Sequence, residues 1–305
     1  MVKTLPNFLI IGAPKAGTTS LYRYLDQHPQ VYMSPVKEPH FFTFENEMVA
    51  AQGPGDQKRL KGAVTRFEDY CNLFQGAAGE IAIGEASTTY LSSPKAAERI
   101  QFYLPQVKLI VILRHPIEAA YASFLHLIRD GDETVTDFAE ALDHEKVRIQ
   151  SNWDGLWHYK TRGFYYQQLK RYFDRFDPQQ IRIYRYEALQ NNSRELVQDL
   201  FSFIGVDPTF CPDLEQKYNV SGIPRSAWIN QLTSQSNPMK SMANAIIPQR
   251  VRPILINWIK AWNFNNYQKP EISAEVRHQL MKDYQQDILK LQDLVNQDFS
   301  DWLNC

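Results

Sequence analysis

The stretch that decides the fold is FLIIGAPKAGTTSL, residues 8–21. Its first four residues form an apolar run that is typical of a buried parallel strand. A loop with two glycines follows, and hydroxyl residues then begin a predicted helix over residues 18–25. This arrangement points backbone N–H groups and the positive end of a helix dipole at one place, so it predicts an oxyanion-binding loop. The side chains that would add donors to the loop are Lys15, Thr18, Thr19 and Ser20.

Strands and helices alternate along the rest of the first two thirds of the chain. Residues 81–85, 107–113 and 181–186 are predicted strands, and residues 117–128, 164–176 and 194–204 are predicted helices. This alternation indicates an α/β fold with a parallel central sheet and helices on both faces. We predict an irregular, mobile insertion at residues 45–65, a loop-rich segment at 211–250 and a helical tail at 272–303.

Composition excludes several classes of protein. The 305 residues are 44% hydrophobic and carry a formal net charge of −1, which provides no global basic field for nucleic acid. The cysteines Cys71, Cys211 and Cys305 form no CxxC pair, so we expect free thiols rather than disulfides or a zinc site. No apolar run is long enough for a membrane span or a signal sequence. We therefore expect a soluble, cytoplasmic protein.

The anion-binding loop differs from the Walker A pattern of nucleotide-binding proteins. In that pattern a Lys directly follows the second Gly, whereas here Thr18 follows Gly17 and Lys15 lies before it. The stretch from Pro14 to Leu21 resembles the 5′-phosphosulfate loop of sulfotransferases that use 3′-phosphoadenosine 5′-phosphosulfate (PAPS). The resemblance implies that Lys15 contacts the sulfuryl group or the bridging oxygen and stabilises the leaving charge. It also implies that the 5′-phosphate is held by Lys15, Ala16, Gly17, Thr18, Thr19 and Ser20.

A second anion site is expected where the strand over residues 107–113 ends. Arg114, in Arg114-His115-Pro116, can make a forked, charge-assisted contact with a phosphate. Ser123, on the following predicted helix, can donate a hydrogen bond. The pair resembles the 3′-phosphate motif of the same family, a strand-end Arg-x-Pro followed by a helical Ser.

The segment Glu38-Pro39-His40-Phe41-Phe42 supplies the candidates for proton transfer. The acceptor loses a proton during sulfuryl transfer, so a general base is needed near the sulfur. The segment resembles the Glu-Pro-His-Phe-Phe stretch of glycosaminoglycan sulfotransferases, in which the Glu is the proposed base. We predict Glu38 as the base, with His40 as its helper or as the base itself. The alternative is a loop whose polar residues serve only structure beside a buried Phe pair.

Three further positions are candidates on weaker grounds. Glu85, in Gly-Glu-Ala-Ser, is a second acidic candidate and is expected with Ser87 on the acceptor side. The glycosaminoglycan enzymes tend to have Lys at this place, and a Glu would not favour an anionic sugar polymer. A neutral alcohol, a glycolipid or a polyketide-type hydroxyl is an equally plausible acceptor. Tyr186 is similar to a family Tyr that contacts adenine, or else it is a packed residue. Arg225 lies where the family has a basic loop that closes over the donor.

The resemblance implies a P-loop-type, three-layer fold with a helical C-terminal extension. It implies one domain over residues 1–305, with an α/β core at 5–205 and a donor-closing loop and helices at 206–305. The expected activity is in-line transfer of a sulfuryl group from PAPS to a hydroxyl or amine of a small-molecule, lipid or carbohydrate acceptor. The product is 3′-phosphoadenosine 5′-phosphate (PAP), with no metal and no nucleic-acid partner. The motifs are closest to the glycosaminoglycan and bacterial branch.

Two alternatives remain at this point. A P-loop kinase would need a Lys directly after Gly17 and a strand-end Asp for Mg²⁺, but the chain has Thr18 and Arg114 there. A nucleotide-binding relative that has lost catalysis would lack Lys15 or every base near it, and the chain keeps these residue types.

Overall fold

The computed structural model describes residues 4–214 and 271–304. Its centre is a sheet of five strands in the order β2-β3-β1-β4-β5, and every neighbouring pair is parallel. The strands are β1 (Phe8–Gly12), β2 (Val31–Met33), β3 (Ala82–Ala86), β4 (Lys108–Leu113) and β5 (Ile181–Arg185).

Helices cover the sheet and form the connections between its strands. The first seven are α1 (Thr18–Asp26), α2 (Phe41–Phe44), α3 (Asp56–Arg59), α4 (Phe67–Asn72), α5 (Thr89–Ser92), α6 (Ala96–Tyr103) and α7 (Pro116–Asp130). Those that follow are α8 (Phe138–Asp143), α9 (Glu145–Gln150), α10 (Tyr165–Phe173), α11 (Tyr186–Asn191), α12 (Ser193–Ile204) and α13 (Ala274–Val295). Short 3₁₀ turns lie at Gly155–Trp157, Thr161–Gly163, Pro178–Gln180 and Ser300–Leu303. None of the described helices is long and apolar enough to cross a bilayer.

The central strands are apolar because both faces of a parallel sheet are covered. Every residue of β1 is buried, and five of the six residues of β4 are buried. Gly84 of β3 lets the ring of Phe8 lie against the neighbouring strand, since a Cβ there would be 2.3 Å from that ring. The α/β fold with a parallel central sheet, a P-loop-like architecture and a C-terminal helix is therefore confirmed.

The order of the strands creates a crevice beside β1. The chain leaves β1 toward β2 on one side of the sheet, whereas it leaves β4 toward β5 on the other side. Loops that diverge in this way leave an opening above the carboxyl ends of the strands, and ligands of open α/β sheets bind in such an opening. Four of the five strands were predicted from sequence. The missed strand, β2, has three residues, which is too short to show a periodic pattern.

The expectation of a mobile insertion at residues 45–65 is wrong in part. The segment contains α3, and Asp56 at its start is fully buried. The Asp56 carboxylate accepts hydrogen bonds from the backbone N–H groups of Gly53 and Asp154, both at 2.7 Å, and from Trp157 Nε1 at 2.9 Å. It also pairs with Arg59. A buried carboxylate with this many donors pins the segment to the body of the protein.

The C-terminal helix α13 packs against α10. Tyr284 is fully buried and donates to the carbonyl oxygen of Lys160 at 2.8 Å. Gly163 allows this approach, because a Cβ there would be 2.6 Å from the Tyr284 hydroxyl oxygen. Cys71 is buried, Cys211 is exposed, and neither forms a disulfide within the described residues. The predicted loop at 211–250 lies for the most part outside the described residues, as does Arg225. The division into a core and an extension stays a prediction.

Replacing Asp56 tests the insertion. We expect Asp56→Ala to lower the free energy of unfolding by about 3–5 kcal/mol, because it leaves Arg59 and three donors without their common acceptor. Urea unfolding followed by circular dichroism measures the change. Lys58→Ala, at an exposed neighbour, is the control and should change stability by less than about 0.5 kcal/mol. An Asp56→Ala protein as stable as the control would show that the insertion is not anchored here.

Candidate active site

All five strands end at the same edge of the sheet, because all five are parallel. At that edge, each strand is followed by at least one site residue that was predicted from the sequence. The loop with Lys15 follows β1, Glu38 and His40 follow β2, Ser87 follows β3, Arg114 follows β4, and Tyr186 follows β5. Segments that are far apart in sequence are thus brought to one crevice.

The loop after β1 leaves donors free for an anion. Gly17 precedes α1 with a φ of 99°, and no described side chain caps the start of that helix. The N–H groups of Ser20 and Leu21 bond back to the carbonyl oxygen of Gly17 at 3.0 and 3.2 Å, while those of Thr18 and Thr19 lie in the first turn, which has no partner within a helix. A Cβ at Gly17 would be 2.5 Å from Leu189 Cδ2, so only glycine fits. This geometry suits a phosphate or sulfate group.

Arg114 joins the ends of β1, β4 and β5. Its Nη1 donates to the carbonyl oxygen of Lys15 at 3.0 Å, and its guanidinium carbon lies 4.7 Å from the centre of the Tyr186 ring. The Tyr165 hydroxyl donates to the Arg114 carbonyl oxygen at 3.0 Å. Arg114 is therefore held between the anion loop and an aromatic ring. Its Nη2 lies 4.0 Å from Glu118 Oε2.

Ser123 lies on α7 and is buried. Its hydroxyl donates to the carbonyl oxygen of Ala119 at 3.0 Å, which is a common arrangement for a serine inside a helix. A contact with a second anion requires this hydroxyl to turn away from the helix. The predicted role of Ser123 stays a prediction.

Lys15 lies in a strongly positive environment. Burial lowers the pKa of Lys15 to about 8, and the positive charges of Arg129, Arg114 and Lys37 act in the same direction, while Asp130 opposes them. A cluster of cations that depresses the pKa of a lysine indicates a place prepared for an anion. Of the residues in this cluster, sequence reasoning missed Arg129 and Lys37.

Arg129, one of the two missed residues, lies in the last turn of α7. His126, Arg129 and Asp130 lie there, and burial together with the charge of Lys15 holds the pKa of His126 well below its usual value, at about 3. Arg129 bonds to both neighbours, through Nη2 to His126 Nδ1 at 2.5 Å and through Nε to Asp130 at 2.9 Å. The spacing of one helical turn was visible in the sequence, but α7 had been predicted to end before this turn was complete.

Glu38 is fixed in a turn after β2. Its Oε2 accepts from the backbone N–H of Thr88 at 2.8 Å, and its Oε1 accepts from Lys37 Nζ at 2.8 Å. Burial alone would raise the pKa of Glu38, but Lys37, His40 and Thr88 together hold it below the usual value. Glu38 is therefore ionised near neutral pH, and 26% of its side chain stays exposed.

His40 is buried beside Glu38. Its Nδ1 lies 2.9 Å from the Thr89 hydroxyl oxygen and 3.8 Å from Glu38 Oε2. Its backbone N–H donates to Ser87 Oγ at 3.1 Å. Burial lowers the pKa of His40, although the charge of Glu38 opposes this, so the ring is neutral near pH 7. The structure thus brings the two predicted proton-transfer residues together.

The backbone is strained at the three predicted catalytic residues. Lys15, Glu38 and His40 have φ values of 62°, 61° and 57°, in the left-handed region. The other described non-glycine residues with positive φ are Asn46, Asn152 and Asn296, and asparagine tolerates this conformation better than most residues. Strain of this kind persists only where the surroundings enforce it, and it is concentrated at functional sites.

Glu85 and Ser87 lie behind the turn that carries Glu38 and His40. Both are fully buried, and Ser87 Oγ donates to Glu85 Oε2 at 2.9 Å. The Tyr70 hydroxyl donates to Glu85 Oε1 at 3.3 Å. Burial raises the pKa of Glu85 to about 7, against the opposing effect of these hydroxyl groups. A fully buried carboxyl cannot contact an acceptor, so the predicted acceptor-binding role of Glu85 and Ser87 is corrected to a supporting one.

A cleft of about 720 Å³ opens next to this turn. Thr43 and Thr89 line it, and their hydroxyl oxygens are 2.8 Å apart. Because Thr89 also contacts His40, only one residue separates the cleft from His40. Both aromatic and polar residues line the cleft, among them Phe44, Trp153 and Phe164, and this mixture suits a polar organic molecule. Among the residues that the structure describes, no group of three His, Cys, Asp or Glu side chains is arranged to hold a metal ion.

The buried Glu85 should make stability depend on pH. An acid whose pKa is raised on folding retains a proton that the unfolded chain releases, so stability falls as pH rises from about 4.5 to about 7. We expect Glu85→Gln to remove about 1–3 kcal/mol of that fall. Urea unfolding at pH 5 and pH 8 measures it, with the exposed Glu140→Gln as the control. A slope unchanged by Glu85→Gln would show that Glu85 is ionised in the folded protein.

Comparison with known proteins places these features in a family. The chain is similar to human carbohydrate sulfotransferase 15, with 28% identity over 262 residues that cover 68% of this chain and 45% of the relative. It is also similar to bovine bifunctional heparan sulfate N-deacetylase/N-sulfotransferase 2, with 27% identity over 211 residues, 67% of this chain and 22% of the relative. The chain thus spans less than half the length of these relatives.

The fold gives the same result. A sulfotransferase structure from Alicyclobacillus acidocaldarius superimposes with a TM-score of 0.78 and 30% identity, and the match covers 99% of this chain and 100% of the other. The model of a family described as "Sulfotransferase family" matches residues 6–210, the segment that contains the whole sheet and every described site residue. The chain therefore belongs to the sulfotransferase family.

Proposed function

We propose that the protein transfers a sulfuryl group from PAPS to a hydroxyl or amine of a carbohydrate acceptor by in-line displacement. One observation carries this proposal. The open N–H groups of the loop after β1, Lys15 and Arg114 lie at the same sheet edge as the Glu38–His40 pair. An anion-binding half and a proton-transfer half thus face one crevice, and the named relatives supply the carbohydrate acceptor class.

The donor half fits a nucleotide with two separate phosphates. Residues 15–20 would hold the 5′-phosphate, and Arg114, with Ser123 after its hydroxyl turns, would hold the 3′-phosphate. Tyr186, stacked on Arg114, is placed to contact the adenine. When bound, PAPS supplies the sulfuryl group and the leaving phosphate. The chain's own task is to position these groups and to balance charge.

Lys15 is the residue that would stabilise the negative charge on the leaving group. With a pKa of about 8 it is mostly protonated at pH 7, and its ammonium group is partly desolvated. A fixed positive charge in such a place stabilises negative charge that develops on the bridging oxygen more strongly than it would in water. Binding of an anion should draw the pKa of Lys15 back toward its ordinary value.

Glu38 is favoured as the base over the other two candidates. It is ionised and partly exposed, whereas the side chain of His40 is only 7% exposed and its Nδ1 is engaged by Thr89. Glu85 is inaccessible. In this scheme the acceptor oxygen or nitrogen attacks the sulfur while the bond from the sulfur to the bridging oxygen breaks and PAP leaves. The acceptor proton passes to Glu38, whose carboxylate is held in place by Thr88 and Lys37. Lys37, paired with Glu38, connects the two halves, since its charge is felt at Lys15.

The alternatives are weaker. A kinase needs a strand-end Asp for Mg²⁺, but β4 leads into Arg114. A relative that has lost catalysis would not be expected to keep three strained catalytic residues in contact with their partners. Lipid and other small acceptors, and the cytoplasmic location, stay predictions from the sequence.

Calorimetric titration with PAP, ATP and AMP in parallel tests the donor. We expect micromolar binding of PAP without Mg²⁺, and much weaker binding of ATP, because only PAP presents phosphates to both anion sites. Arg114→Ala should weaken PAP binding by about 1.5–3 kcal/mol, the scale of a charged hydrogen bond, and should weaken AMP binding less, because AMP has no 3′-phosphate. Preference for Mg-ATP would contradict the proposal, as would failure to bind any of the three nucleotides.

Glu38→Gln tests the base. Gln keeps the shape and can still accept from Thr88 N, so PAP affinity should be unchanged, whereas kcat should fall by about 10²–10⁴. Transfer of labelled sulfate from PAPS to a carbohydrate panel measures the loss. Glu98→Gln, which removes the same charge at an exposed site on α6, is the control and should keep full activity. Full activity of Glu38→Gln would move the base to His40.

A further inference from the structure

A carboxylate lies beside Arg114, the residue proposed to bind the 3′-phosphate. Glu118 is in the first turn of α7, and its Oε2 lies 4.0 Å from Arg114 Nη2. That distance is too long for a hydrogen bond. A guanidinium and a carboxylate this near each other commonly close to a forked pair at about 2.7–2.9 Å. The gap between Glu118 and Arg114 therefore indicates that a third group holds the carboxylate back.

Arg277 of α13 is that group. Its Nη2 donates to Glu118 Oε1 at 2.7 Å, the length of a charge-assisted hydrogen bond. The side chains of Arg277 and Glu118 are 34% and 27% exposed, so solvent screens this pair less than it screens a pair on the open surface. Glu118 thus lies between two arginines and is bonded to the one from the C-terminal helix.

Other contacts hold the C-terminal segment against the ends of β4 and β5. The Nε2 atom of His115, which is next to Arg114, lies 3.2 Å from the carbonyl oxygen of Trp302. Arg185, at the end of β5, pairs with Asp301. The segment that follows α13 is therefore attached to the same strand ends, so the position of Arg277 depends on more than its own ion pair.

A phosphate at Arg114 would compete with Glu118. Arg114 Nη1 already donates to the carbonyl oxygen of Lys15 at 3.0 Å, and the guanidinium lies against the ring of Tyr186. The phosphate therefore depends on the donors that remain, and one of these, Nη2, lies near Glu118. A carboxylate bonded to Nη2 would occupy that donor and would also repel a phosphate by its like charge.

We propose that Arg277 is a positioning residue for the donor, which keeps Glu118 off Arg114 and so leaves Arg114 available to the 3′-phosphate. The inference rests on the proposed function, and it gives the C-terminal helix a task in donor binding. Without Arg277, the Glu118 carboxylate moves to Arg114. Because Arg277 acts through Glu118 rather than by touching the nucleotide, its effect should vanish when residue 118 has no charge. Neither Glu118 nor Arg277 was predicted as a site residue, since 159 residues separate them in the chain.

A double-mutant cycle tests the inference by calorimetric titration of the full chain with PAP and with AMP. We expect Arg277→Gln to weaken PAP binding by about five- to tenfold, the scale of coupling within one network of charges. It should weaken AMP binding less, because AMP has no 3′-phosphate. Glu118→Gln should bind PAP at least as tightly as the unmodified protein, since it removes a competitor for Arg114. The variant with both substitutions should match Glu118→Gln, because no carboxylate is left to be held.

Lys282→Gln is the matched control. Lys282 is exposed on the same helix, so the loss of its positive charge should leave PAP binding unchanged. Arg277→Lys keeps a charge that can hold Glu118, and it should retain most of the affinity for PAP. Thermal melting shows whether each variant is folded.

Several results would overturn the inference while leaving the donor assignment intact. These are unchanged PAP binding by Arg277→Gln, an equal loss of AMP binding, and weaker PAP binding by Glu118→Gln. A loss that persists when both residues are replaced would overturn it too, since Arg277 would then act by direct contact or through the fold. Failure of the unmodified protein to bind PAP would instead overturn the proposed function, and this inference with it.

Discussion

The parallel direction of the five strands is the constraint on which the site depends. Because every strand ends at one edge, a loop that follows any of them reaches the same crevice. β1 lies between β3 and β4, and the chain leaves β1 and β4 in opposite directions, so the opening forms beside the anion loop. The hydrogen bond from Arg114 to the carbonyl oxygen of Lys15 joins the two sides of that opening. Together with the parallel pairing of β1 and β4, it fixes the separation of the two predicted anion sites.

A second layer of contacts holds the proton-transfer turn. Glu38 and His40 have left-handed backbone conformations that most residues avoid, and hydrogen bonds from Thr88 and to Ser87 hold them there. Ser87 in turn rests on the buried Glu85. Since a carboxylate pointing the wrong way cannot accept a proton from the acceptor, the strained turn is a form of preorganisation.

The distribution of charge separates the two halves of the site. On the donor side, burial and the cations around Lys15 lower its pKa, as expected for a place that receives phosphate. On the acceptor side, cations are paired with carboxylates, as Lys37 is with Glu38 and Lys95 is with Glu47.

The sequence alone was sufficient for the α/β class, for four of the five strands and for the anion loop, because these depend on local patterns. An apolar run, a glycine pair and hydroxyl residues at a helix start are all read from neighbouring positions. The resemblance to the sulfotransferases added Glu38, His40, Arg114 and Tyr186, and the structure places all of them at one edge. The roles of these side chains in catalysis and binding stay predictions.

Only the tertiary structure decided which residues are buried and which contact one another. β2 is too short to show in the sequence, yet it carries Glu38 to the site. The sequence around Glu85 is what would be expected of an acidic residue exposed at the end of a strand. In the structure it is buried, and burial raises its pKa to about 7. The sequence predicted that Asp56 lies in a mobile insertion, although four partners hold it in the interior. Burial and pairing depend on residues distant in the chain, so no local pattern could reveal them.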